Sequence, residues 1–102
     1  MRLSDYVVKY IHDELGVSHI FTVTGAGIMH LTDALAKNKD VIGVTPHHEQ
    51  TASMALETYS RASENFGVGM FTTGPGSTNA ITGLAGAWQD SVPCMFIGGQ
   101  VK

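Results

Sequence analysis

Val41-Ile42-Gly43-Val44-Thr45-Pro46-His47-His48-Glu49-Gln50-Thr51-Ala52-Ser53-Met54-Ala55-Leu56-Glu57-Thr58-Tyr59 changes its hydrophobic period halfway along. Val41, Ile42 and Val44 form a short apolar run of the kind that makes a fully buried strand, and Pro46 closes it because proline has no N–H for a ladder. From Ala52 onward the apolar residues fall at helical spacing, with Ala52, Ala55, Leu56 and Tyr59 on one face. A strand therefore hands over to a helix, and Glu49 lies in or beside the first helical turn, at the carboxyl end of the strand. Open α/β sheets place their ligands at that end. A first-turn carboxylate also has an ordinary role, because the helix dipole and the unpaired backbone donors favour it there. Position alone leaves capping and chemistry both open for Glu49.

The strand-to-helix unit recurs on either side. The chain opens with a helix that has Ser4 as N-cap, Leu3 and Val8 as a hydrophobic staple, and Val7, Val8, Ile11 and Leu15 on one face, closed by Gly16. His19 to Val23 is a short β-branched and aromatic run. It leads into the turn Thr24-Gly25-Ala26-Gly27 and a helical pattern through Ile28, Leu31, Leu35 and Ala36. The turn fails as a dinucleotide fingerprint, since His30 stands where the third glycine is needed for close helix packing.

Downstream, the helix that begins near Glu49 runs to about Ser63, Glu64 to Gly67 turn, and Val68, Met70 and Phe71 make a third strand. That strand leaves through Thr72-Thr73-Gly74-Pro75-Gly76-Ser77-Thr78-Asn79, where two glycines bracket a proline and Ser77 or Thr78 is placed to cap the next helix. Glycine-rich turns after strands are common for backbone reasons alone, so this loop by itself defines no site. The helix after it, through Ala80, Ile81, Leu84, Ala85 and Trp88, contains Gly83 and Gly86, whose cost to a helix implies close packing, within the chain or between subunits. Pro93 then introduces a fourth strand, Cys94 to Ile97.

A helix, three strand-helix units and a last strand, with short connections, require parallel pairing. The expected fold is a single α/β domain over residues 1–102: a three-layer open parallel sheet in flavodoxin-like order, with helices on both faces. In that order the second strand lies beside the first and the third on its other side. The switch point falls between the first and third strands, faced by the loops Thr24 to Gly27 and Gly74 to Asn79, with Glu49 leaving the neighbouring strand.

At 43% hydrophobic and 15% charged, 102 residues suit one compact core. A formal charge of −3 with no basic run leaves no electrostatic footprint for nucleic acid or an anionic membrane, and no apolar stretch approaches spanning length. The single Cys94 sits in an apolar run as an inert small hydrophobe, makes no internal disulfide and fits a reducing cytoplasm. His47, His48 and Glu49 point in different directions on a forming helix, whereas zinc motifs space their ligands a turn apart, so no metal site is expected there.

Three runs in order resemble a known family: Pro46-His47-His48-Glu49-Gln50, Thr73-Gly74-Pro75-Gly76-Ser77-Thr78-Asn79, and Trp88-Gln89-Asp90-Ser91-Val92-Pro93 with Gly99-Gln100-Val101 after it. They are similar to the N-terminal pyrimidine-binding domain of thiamine diphosphate enzymes, the acetolactate synthase-like subgroup above all. The resemblance covers essentially the whole chain. It implies that Glu49 hydrogen-bonds a ring nitrogen of the cofactor's aminopyrimidine, favouring the imino tautomer that takes the thiazolium proton and generates the ylid. It places Pro75, Gly76 and Asn79 along that ring and Thr24 and Gly25 near its edge. His48 matches a family histidine, which implies either a place in the substrate pocket or a structural role at the helix start.

Two departures qualify the match. Thr24 stands where many relatives have proline, and these 102 residues contain neither the family's further strands nor the Gly-Asp-Gly to Asn motif that holds magnesium and diphosphate. The resemblance thus implies the N-terminal part of a longer enzyme, inactive alone, that carboligates or decarboxylates a 2-oxo acid such as pyruvate. Its cofactors would be thiamine diphosphate and Mg2+, the latter held outside this chain, with FAD an additional cofactor in the synthase branch. Its partner would be a second copy, in a homodimer or homotetramer. The competing reading is a stand-alone, non-catalytic binding or dimerisation module of the same fold, and the bare strand edge left just before Lys102 counts against it.

Overall fold

The structure, a computed structural model, describes residues Met1 to Val101; Lys102 lies outside the described residues. Four strands, β1 (His19–Val23), β2 (Ile42–Val44), β3 (Gly67–Phe71) and β4 (Cys94–Gly98), form one sheet in the order β2-β1-β3-β4, and every pairing is parallel. This is the expected flavodoxin-like order. The register sets Ile20, Val68 and Met95 abreast, and Phe21, Gly69 and Phe96 in the next row, so alternate rows face opposite sides.

One side is covered by α1 (Leu3–Asp13) and α2 (Met29–Lys37), whose Val8, Ile11 and Leu35 pack with Ile20, Val68 and Met70. The other is covered by α3 (Glu49–Ser63), whose Ala52 and Leu56 pack with Phe21 and Phe71. Gly69 leaves the space that Leu56 and Phe71 fill. Burying Leu56 alone contributes roughly 1.5–3 kcal/mol. After the single-turn α4 (Pro75–Thr78), α5 (Ile81–Gln89) lies against α3. Gly83 makes that approach close: its N–H donates to Ser53 Oγ at 3.2 Å, while the fully buried Ser53 hydroxyl donates to Gln50 O at 2.8 Å. The tight contact implied by the two helix glycines is thus within the chain and at Gly83 alone; Gly86 faces open space.

Several local expectations are corrected. The cap of α1 is Arg2, not Ser4, because the Asp5 carboxylate accepts the Arg2 backbone N–H at 3.3 Å and its guanidinium Nε–H at 3.0 Å. Helical geometry therefore starts at Leu3 and Ser4 falls inside the first turn. Leu3 is 78% exposed, so it staples nothing to the buried Val8. Strand β2 is not fully buried: Ile42 is 57% exposed, since β2 is an edge strand with β1 as its neighbour, and it is Val41, just ahead, that enters the core. Neither Ser77 nor Thr78 caps α5. The N–H groups of Asn79 and Ala80 donate to Pro75 O and Ser77 O, so α4 runs almost directly into α5, and the first-turn N–H of Gly83 is met by Ser53 Oγ from α3. Cys94, on β4, is half-buried rather than fully buried; burial, aided by the nearby Glu57 charge, pushes its thiol pKa up. Among the described residues no helix is long and apolar enough to cross a membrane.

Candidate functional site

The carboxyl ends of β1 and β3 lie side by side, and the two loops that leave them dock on each other. Thr72 is the point of contact. Its Oγ1 accepts a hydrogen bond from the Gly27 N–H at 3.1 Å. A Cβ placed on Gly25 or on Gly76 would lie 2.5 Å from Thr72 Cγ2, closer than real side-chain carbons come, so both loops can close round Thr72 only with glycine at those positions. Gly74, at φ +60°, turns the chain out of the strand, and Pro75 takes the first position of α4, where its missing N–H costs nothing.

Glu49 reaches the same place from α3. The start of that helix is capped by His48, whose Nδ1 accepts the Gln50 N–H at 3.0 Å. The carboxylate of Glu49 is therefore not occupied in capping. Its Oε2 accepts from Asn79 Nδ2 at 3.2 Å, and its Oε1 lies 3.7 Å from where a Gly76 Cβ would stand. Oε1 takes no hydrogen bond among the described residues. A half-buried carboxylate, oriented by an amide and favoured by the helix dipole, thus presents one open acceptor beside a residue without a side chain.

Of the residues singled out in the sequence, the structure brings Glu49, Gly76 and Asn79 into contact, with Pro75 next to them in the chain. Gly25 joins through Thr72. Thr24 points elsewhere, lining a cavity of about 320 Å³ with Thr22, Thr32, Asn38 and Thr45 on the α2 side. His48 is exposed, its ring bonded to the helix backbone. Thr72 was not singled out; the signal for it was three glycines, Gly25, Gly27 and Gly76, in two loops that the topology makes neighbours.

Oε1, beside Gly76, can accept a hydrogen bond from a ligand donor. Among the described residues no group of three or more His, Cys, Asp or Glu side chains converges.

A parallel α/β sheet that offers a helix-start carboxylate to a Gly-Pro-Gly loop at its switch point defines a cofactor-binding domain of the doubly wound class. Residues 1–102 match the thiamine pyrophosphate enzyme, N-terminal TPP binding domain, and the chain belongs to that family. It is 40% identical over 98 residues to the acetolactate synthase large subunit of Buchnera aphidicola subsp. Acyrthosiphon pisum, an alignment covering 96% of this chain and 17% of that protein. It is 42% identical over 98 residues to acetolactate synthase 2, chloroplastic, of Nicotiana tabacum, with 96% and 15% covered. To the acetolactate synthase large subunit of Lactococcus lactis subsp. lactis it is 42% identical over 88 residues, with 86% and 15% covered. The chain thus spans 15–17% of the length of these relatives.

Proposed function

We propose that the chain is the pyrimidine-binding part of a longer thiamine diphosphate-dependent enzyme, similar to acetolactate synthase, that acts on a 2-oxo acid such as pyruvate. The observation that carries this reading is the Glu49 carboxylate, relieved of capping by His48 and held by Asn79 with its Oε1 beside Gly76. When bound, thiamine diphosphate would supply a carbon nucleophile for the 2-oxo acid carbonyl. Glu49 would hold the aminopyrimidine through Oε1 and share a proton with its ring nitrogen, a general acid-base role. Asn79 keeps the carboxylate turned toward the ring. Pro75 and Gly76 would form the ring's flat wall, and Gly25 its edge. His48, exposed at the same helix start, would border the substrate.

Magnesium, the diphosphate and any FAD would be held by residues outside these 102. The partner would be a second copy, in a homodimer or homotetramer, and the free Cys94 suits the cytoplasm. The test is Glu49→Gln in the full-length protein, assayed for pyruvate turnover at saturating cofactor. A loss of at least about 100-fold is expected, within the range for acid-base groups. Near-normal turnover would return Glu49 to a structural role.

A further inference from the structure

We propose that Thr72 is a positioning residue for the aminopyrimidine site, a latch that holds the loop after β1 against the loop after β3 and so sets where Gly76 stands relative to Glu49. The inference rests on the reading of the Glu49 crevice as the place where that ring binds. Three independent contacts converge on this one residue. Its hydroxyl oxygen accepts the Gly27 N–H at 3.1 Å, its methyl lies against both Gly25 and Gly76, and its carbonyl accepts the Ser77 hydroxyl at 2.7 Å. The first ties it to one loop and the last to the other, while the methyl sits between them.

Gly76 is the shared neighbour that carries the effect to the carboxylate. Thr72 Cγ2 and Glu49 Oε1 both border the place where a Gly76 Cβ would stand, at 2.5 and 3.7 Å from it, so the methyl and the carboxylate share the space that the missing side chain leaves. Packed groups at this separation do not slide freely, so a change in the Thr72 side chain moves Gly76 and with it the wall of the site. Thr72 touches neither Glu49 nor Asn79 by hydrogen bond, and its role is geometric rather than chemical. Threonine suits it because one side chain supplies both an acceptor and a wedge. Valine keeps the wedge and loses the acceptor, whereas serine keeps the acceptor and loses the methyl.

The experiment compares Thr72→Val and Thr72→Ser in the full-length protein that carries this chain. Amide hydrogen exchange is monitored in peptides spanning Thr24 to Ile28, and thiamine diphosphate binding is titrated calorimetrically in the presence of Mg2+. Thr72→Val is expected to speed exchange at Gly27 and weaken cofactor binding, each on the order of five-fold, the size of one hydrogen bond's net contribution. Thr72→Ser should keep the slow exchange at Gly27 and so separate the latch from the wedge. An unchanged Gly27 exchange rate in Thr72→Val would overturn the latch. Faster exchange with unaltered cofactor affinity would overturn the positioning role and leave a merely structural bond. These outcomes are separate from that of Glu49→Gln, whose near-normal turnover would sink the reading of the site itself while leaving the Gly27 bond to stand.

Discussion

At the start of α3 two needs compete for one carboxylate, and His48 decides between them. A helix opening with Glu at its first position has a ready acceptor for its unpaired N–H groups, and in most helices such a residue is spent there. Here the imidazole Nδ1 accepts from Gln50 instead, which leaves Glu49 free to turn toward Asn79. His48→Ala should therefore cost about 0.5–2 kcal/mol, the usual worth of an N-cap, read as a lower urea midpoint with unchanged m. His48→Asn, which can cap in the same way, should recover most of it. A His48→Ala protein as stable as the wild type would show that Glu49 takes over the cap and that its carboxylate is not reserved for a ligand. The identity of Glu49 as a candidate was legible in the sequence from its place at a strand-to-helix handover. Its release from capping was half legible: the resemblance left His48 either a substrate-pocket place or a structural role at the helix start, and the structure shows the imidazole as the cap.

Among the elements, α5 carries two glycines that the sequence treats alike and the structure does not. A Cβ on Gly83 would come within 2.5 Å of the Ser53 backbone carbon, and backbone cannot move aside cheaply; a Cβ on Gly86 would meet nothing within 4 Å. Gly83→Ala should destabilise by about 1–3 kcal/mol, as overpacking does, despite the gain in helix propensity. Gly86→Ala should stabilise by up to about 1 kcal/mol. Thermal unfolding of the two single variants checks both signs, and the same sign for both would mean that α5 does not pack on α3 as described. The helices and strands themselves were legible because hydrophobic period and turn residues agree at each junction. What periodicity could not supply was the environment on each side of an element. Ile42 reads as core and is exposed because β2 forms the sheet edge, and Ser4 reads as a cap but is displaced by the Arg2–Asp5 pairing.

Across the whole molecule the parallel order forces the carboxyl ends of β1 and β3 together, and this is why residues as distant in sequence as Thr24 and Asn79 were expected near one crevice. The order also fixes how the far side of the sheet is held. On that side α1 and α2 meet over the core, and Arg2 bridges them, its guanidinium bonded to Asp5 at 2.8 Å and to Asp33 at 2.7 Å, while Lys37 reaches Asp33 at 2.9 Å. The Lys37 ammonium first, and then Arg2, hold the Asp33 carboxyl below its ordinary value of 3.8; Arg2 does the same for Asp5. A carboxyl with a lowered folded pKa binds its proton more readily in the unfolded chain. Its contribution to stability is therefore complete above the ordinary value and is lost as pH falls from there through the lower folded value. Arg2 and Lys37 are exposed and Asp5 and Asp33 half-buried at the surface, so the contribution is small and screened by salt. The melting temperature should accordingly fall as pH drops below about 4, and the fall should be shallower in Asp33→Asn than in the wild type at low ionic strength. At neutral pH the variant should melt slightly below the wild type. The difference between the two proteins should shrink toward zero both at low pH, where Asp33 is protonated, and in molar salt, where the pairs are screened. Parallel pH profiles for the two proteins would show that α1 and α2 are held by their buried faces alone, with Arg2, Asp33 and Lys37 adding no stability.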